Sequence, residues 1–389
     1  MRNELLTLNN LSKYKIEEVF QLKRKRLSII LSSILLTLML AVPLIVSCAA
    51  PEPTTTPSPS PSPSPSPSPT PTPSPPPTQE VYKFRMITCT GAGNVPRWYD
   101  NYISQVKAMS DGQIEITAYG SGELVPTTEH FQAVKDGTME MAVSYAGYYA
   151  DAIDMANIET GIPRSFPTKL DCFTAWNELG LLELAQESYA EHGIRYLGPA
   201  LTGPYCAMST FPIRSVDDLE GKMMRATGAT AIWLEKLGAQ TVYIAGEELY
   251  TSLATGQIDG CIYGCGADYA NISLGEVAPY YLDTCALAAV GCNCFMNMNV
   301  YNSLPDNLKA IMDSTNFLLN AYWLGLYQLL DVQGKAKMGC EVTTLPADEL
   351  PIITAAAVEI MDEEAAKSAR CAEAIQIIKD WNKELGLLD

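Results

Sequence analysis

Histidine is nearly absent from this chain: His130 and His192 are the only two in 389 residues. General acid–base catalysis draws on histidine more than on any other side chain. No Gly-x-Ser-x-Gly elbow, HExxH helix or Walker loop occurs either, so hydrolase, metalloprotease and nucleotide-hydrolase chemistries lose their usual signatures. Basic charge is also scarce, with 26 Lys and Arg against 44 Asp and Glu. From Glu80 onward the balance is 40 acidic to 19 basic residues, a net charge of about −21. Such a field repels nucleic acid, and it repels anions at long range, so an anion site has to be local and specific. The 11 cysteines lack the paired spacing of zinc sites, since Cys261-x-x-x-Cys265 and Cys292-x-Cys294 have no second pair nearby. They read first as buried free thiols. Disulfides in an oxidising exterior are the alternative, and the spacing alone pairs none of them. Neither a metal ion nor a cofactor is called for.

Charge is missing altogether from Leu27 to Val46, an apolar run of about 20 residues behind the basic cluster Lys23-Arg24-Lys25-Arg26. The run ends in Ile45-Val46-Ser47-Cys48, which resembles a bacterial lipobox with Cys48 as the lipidated residue. Residues 1–48 are therefore expected to be a lipoprotein signal. An uncleaved membrane anchor is the alternative, because the run is long enough to span a bilayer. Both readings put the remainder outside the cytoplasm, on a membrane. Residues 49–79 are almost only Pro, Ser and Thr. They cannot bury a core and favour polyproline II, a semi-rigid stalk reaching at most roughly 90 Å.

The folded part begins near residue 80. About 310 residues are large for one core, so two lobes are expected. Val81–Thr88 alternates as a strand, a helix follows around Trp98, Tyr102 and Val106, and Ile114–Ala118 alternates again. A helix near 128–136 and a strand at 139–144 complete a strand–helix repetition that argues for α/β with a largely parallel sheet. Cys172–His192 reads as one long helical stretch. Beyond Ser215, a plausible N-cap, the alternation resumes: strand Lys222–Arg225, helix 230–237, strand 241–244, helix 246–255, strand 258–262. Val290–Val300 suits a buried strand crossing between lobes, and Pro305–Met338 one helix of about 50 Å. The expected division is 80–204 plus 289–322 for lobe I, and 205–288 plus 323–389 for lobe II.

In order and spacing, several segments resemble the solute-binding proteins of tripartite ATP-independent periplasmic (TRAP) transporters. They are Ser110-Asp111-Gly112-Gln113-Ile114, Val134-Lys135-Asp136-Gly137, Asp218-Leu219-Glu220-Gly221-Lys222-Met223-Met224-Arg225, Glu248-Leu249-Tyr250-Thr251-Ser252-Leu253, Gly256-Gln257-Ile258-Asp259-Gly260 and Ser303-Leu304-Pro305-Asp306. The resemblance covers about 81–385. It implies a two-lobed periplasmic-binding-protein-like α/β fold with crossing strands and a long lobe-spanning helix. It also implies capture of an organic carboxylate for TRAP permease subunits, without chemistry. Glu159-Thr160-Gly161-Ile162-Pro163 and Leu201-Thr202-Gly203 resemble the branch that binds 2-oxo acids and monocarboxylates. That branch holds a metal through a Gln and a Glu-Trp pair. This chain has Tyr205 and Ile262-Tyr263 there, so the resemblance implies no bound metal.

Arg225 is the first expected ligand contact, because a guanidinium at a strand end grips a carboxylate with two parallel hydrogen bonds. Tyr205 and Tyr263 follow, each with a hydroxyl and a π-face. Asn94 in a Gly-containing loop, one of Tyr145, Tyr148 and Tyr149, and Phe166 complete the expected pocket, with Tyr145 taken to represent the tyrosine cluster. Trp233 is expected in the core. A surface sensor or adhesion module on the same fold, and an enzyme using a carboxylate dyad, are the competing readings.

Overall fold

The computed structural model describes residues 80–89 and 95–388. Cys48, the Pro/Ser/Thr stretch and Asn94 lie outside the described residues. Among the described residues no helix is long and apolar enough to cross a membrane.

Eleven strands form two sheets: β1 (Tyr82–Thr88), β2 (Ile114–Tyr119), β3 (Met141–Ser144), β4 (Ile194–Leu201), β5 (Tyr205–Ser209), β6 (Met223–Arg225), β7 (Gln240–Val242), β8 (Gly260–Gly264), β9 (Tyr280–Leu287), β10 (Gly291–Asn297) and β11 (Glu341–Thr343). The first sheet has the order β2-β1-β3-β10-β4 and the second β11-β9-β5-β8-β6-β7. The two-lobed α/β expectation holds. The sheets are mixed rather than largely parallel, because β10 runs antiparallel to both β3 and β4, and β5 antiparallel to both β8 and β9. Of these, β4, β5, β9 and β10 are the strands that lead into or out of the crossings. Segment 202–204 joins β4 of one sheet to β5 of the other, and 288–290 joins β9 back to β10. The two crossings touch, with the Thr202 N–H donating to the Val290 carbonyl at 2.9 Å.

Cys172–His192 is two helices, Lys169–Glu178 and Leu181–Ala190. Gly180 between them sits at φ 104°, outside the range helical residues adopt, and its lack of a Cβ permits the break. The long helix is continuous from Asp306 to Met338. It packs on β4 and on the short helix Gly266–Asn271 of the second sheet. Gly334 makes the latter approach feasible: a Cβ there would fall 2.2 Å from Gly266 backbone atoms. The last helix, Ala369–Glu384, packs foremost on the helix before it, Leu350–Ala365, and also on Leu181–Ala190. Trp233 is buried, and its indole N–H donates to the Ile353 carbonyl at 2.9 Å. The cysteines are not all free thiols. Cys206 of β5 and Cys285 of β9 form a disulfide, which antiparallel neighbours in one sheet can form and which sequence spacing could not reveal.

Candidate functional site

A cavity of about 260 Å³ opens between the sheets. Its walls come largely from the C-terminal ends of parallel strands, where α/β folds place ligands. Cys89 follows β1, Tyr145 follows β3, Arg225 ends β6 and Tyr263 lies near the end of β8; Tyr205 opens β5 at one crossing and Thr202 lies in it.

Arg225 is 6% exposed. Strand pairing on both sides, with Val242 and with Cys261, fixes its backbone. Its Nε donates to the Ile244 carbonyl at 2.9 Å and Nη1 to the Ile262 carbonyl at 3.1 Å. The guanidinium lies over the rings of Tyr243 and Tyr263, 5.6 and 5.1 Å from their centroids. Among the described residues no carboxylate pairs with it and Nη2 has no acceptor. A buried guanidinium held only by neutral carbonyls and π-faces is a charge without its counter-ion, a costly state unless something enters to pair with it.

Tyr145, Tyr148, Tyr205, Tyr263 and Tyr327 line the same cavity. The Tyr145 hydroxyl lies 3.5 Å from the Thr227 hydroxyl, and its ring meets Tyr148 edge-on at 5.4 Å. Tyr149 instead enters the core, bonding Asn293 and Tyr189. Burial pushes the Tyr263 phenol up to about 12, helped by Asp268 and opposed by Arg225. Burial likewise raises Tyr145 and Tyr205, so these groups enter the site as neutral donors.

Among the described candidates, Arg225, Tyr205, Tyr263 and Tyr145 come together. Phe166 does not join them. It lines a separate, more open groove of about 680 Å³ with Arg164, Lys169 and Leu324. Tyr148, another member of the expected tyrosine cluster, lines the cavity as well, whereas Thr227, Tyr327 and Asp268 are cavity residues that the sequence did not single out as contacts. Asp268 carried a signal, the acidic third residue of a helix starting just after a strand, but that pattern reads as a cap. Tyr327 falls in the apolar pattern of the long helix and reads as core. Cys89 and Cys292 also line the cavity, their sulfurs 3.8 Å apart.

Behind this wall Glu159 is 2% exposed. Its Oε2 accepts from the Tyr189 hydroxyl at 3.0 Å and Asn293 Nδ2 at 2.8 Å. No cation compensates it, and burial pushes its carboxyl up to about 8.

Two sheets joined by crossing segments, with a cavity at their strand ends, define a two-lobed solute-binding protein. The family model for DctP, bacterial extracellular solute-binding protein family 7, matches residues 100–368, and the chain belongs to that family. A monocarboxylate 2-oxoacid-binding periplasmic protein of Nostoc sp. is 26% identical over 287 residues, 72% of this chain and 78% of that protein. A TRAP periplasmic solute-binding protein from Chromohalobacter salexigens, solved with (S)-(+)-2-amino-1-propanol, has a TM-score of 0.72 at 25% identity, covering 79% of this chain and 97% of that one. One from Colwellia psychrerythraea, solved with calcium and pyruvate, has a TM-score of 0.72 at 23% identity, covering 79% and 96%.

Proposed function

We propose that this chain is a membrane-tethered extracytoplasmic binding protein that captures a small organic carboxylate, a monocarboxylate foremost, and delivers it to TRAP permease subunits. The observation that carries the carboxylate is Arg225: a buried guanidinium at a strand end, without an ion pair, facing a closed-in cavity. A carboxylate on the free edge would gain a charge-assisted contact with a largely buried guanidinium. The Nostoc relative, named as a binder of monocarboxylate 2-oxoacids, supports that ligand class. The Cys48 lipid anchor and the stalk of residues 49–79 rest on the sequence pattern. Lobe boundaries near 204/205, 288/289 and 322/323 rest on the sequence pattern as well.

A metal such as the calcium bound by the Colwellia protein does not fit the residues here. Tyr205 and Ile262 supply no carboxylate, and the Ile262 carbonyl already accepts from Arg225. No group of three His, Cys, Asp or Glu side chains that could hold a metal occurs among the described residues. A hard cation needs several oxygen ligands, so the carboxylate contact falls to Arg225 and the tyrosines.

A thermal-shift panel of mono- and dicarboxylates on the wild type and on Arg225→Lys tests the capture site. Wild type should be stabilised by at least one monocarboxylate, and the lysine variant much less, since it keeps charge but loses the fork. Absence of any shift in folded wild type would refute the reading. Fatty-acid labelling lost in Cys48→Ala tests the anchor. Ligand recovered unchanged after incubation is the outcome expected of a binder, and any product would favour the enzyme reading.

A further inference from the structure

Two opposite charges face this cavity and do not meet. Arg225 stands at one place on its wall, and Asp268 at another. They form no ion pair with each other, and among the described residues no other Lys or Arg pairs with Asp268. The nearby cation Lys335 is committed elsewhere, to Asp331 at 3.0 Å and Asp283 at 3.2 Å.

Asp268 is held firmly. It is the third residue of the helix Gly266–Asn271, and its Oδ2 accepts from the Cys265 N–H at 2.9 Å. Its side chain packs over Gly264, where an added Cβ would lie 2.6 Å from the Asp268 Cβ. The Cys265 thiol also bonds this carboxylate, but among the described residues no cation does. Burial, with the charge of Asp331, raises the carboxyl above its ordinary range, against the lowering pull of the Cys265 N–H and thiol.

The remaining wall is suited to a cation. Five tyrosines line the space, two of them already under a protein cation (Tyr263 under Arg225, Tyr327 under Lys169), and aromatic faces attract ammonium groups, alkylated ones included. A plain monocarboxylate would satisfy Arg225 and turn its tail toward an unpaired carboxylate. A ligand carrying both charges would satisfy both groups at once. A cavity of about 260 Å³ limits it to something small.

We infer that the ligand is a small zwitterion, with its carboxylate on Arg225 and its ammonium group on Asp268 among the tyrosine faces. This rests on the carboxylate reading above and narrows it.

The test is calorimetric titration of the purified full-length chain in detergent micelles with matched pairs that differ in the ammonium: propanoate against L-alanine, and acetate against glycine betaine, with pyruvate beside them. At least one zwitterion should bind about 10- to 100-fold more tightly than its matched acid. Asp268→Asn keeps an oxygen for the Cys265 N–H and places an amide where the ammonium would sit. It should collapse the zwitterion-to-acid ratio by about tenfold or more. The wild-type ratio reads the inference without any variant, so poor folding of Asp268→Asn would not shield it. If propanoate, acetate or pyruvate binds and no zwitterion binds more tightly than its matched acid, the inference falls and the carboxylate reading stands. A ratio that survives in folded Asp268→Asn would remove Asp268 from the role. If neither class binds the folded chain, both readings fall together.

Discussion

Glu159 gives the most exacting test of the physical account, because its effect has a sign and a pH window. Its carboxyl titrates near 8 in the folded chain against an ordinary 4.5. The unfolded chain releases this proton near pH 4.5, whereas the folded chain keeps it to about pH 8. Between those values folding takes up a proton, so the group's contribution is fully present below 4.5 and is lost as pH rises toward 8. Each pH unit in the window costs about 1.4 kcal/mol, which accumulates to roughly 3 kcal/mol by pH 7. Glu159→Gln keeps the shape and still accepts from Tyr189 and Asn293, but it has no proton to lose. The comparison is made at equal pH, so the opposing slope from His130 cancels; burial pushes that imidazole down to about 4. The melting temperature of the glutamine variant relative to wild type should rise between pH 5 and pH 7.5 by roughly 6 °C, taking about 2 °C per kcal/mol for a domain of this size. The assay is calorimetric or fluorescence melting of both proteins across that range. A difference that stays constant with pH would refute the assignment of a proton to Glu159.

Other substitutions test separate parts of the structure. Arg225→Ala should weaken carboxylate binding by about 100-fold or more, read by calorimetry, since loss of one partner of a buried charge pair costs about 3–5 kcal/mol. Replacing Cys206 and Cys285 with serine should lower stability by about 4 kcal/mol, as expected for a bond closing a loop of this length, and should abolish the cross-linked peptide in non-reducing mass spectrometry. Gly334→Ala should destabilise by about 1–3 kcal/mol in denaturant unfolding, because the new methyl has backbone rather than a movable side chain in its way.

Much of this fold is legible in the sequence because its signals are periodic. The alternation of β1 and β2, the glycines that stop helices, and the unbroken pattern of Asp306–Met338 each belong to one segment read alone. Arg225 is legible for the same reason, as a charge at the end of an apolar strand. What escapes is set by pairing between distant segments. Strand direction in β5 and β10 and the Cys206–Cys285 bond depend on neighbours tens of residues away. Gly180 escapes differently: a glycine within a helical pattern is tolerated or is a break, and the choice is made by packing. Phe166 shows the limit of side-chain type as a guide, since an aromatic near one cavity in sequence lines another in space.

The disulfide has a mechanical consequence. It ties β5 to β9 close to where both strands leave the second sheet, and Thr202 bonds Val290 within the crossings themselves. The two connections are thus stapled into one strap. A strap of paired strands can twist about its length, but its halves cannot slide past each other. Relative motion of the lobes is thereby reduced toward a single rotation, and shear, the other common mode of domain closure, is blocked. With one degree of freedom, a closing stroke would carry Tyr145, which follows β3 of the first sheet, along one arc toward Arg225 of the second.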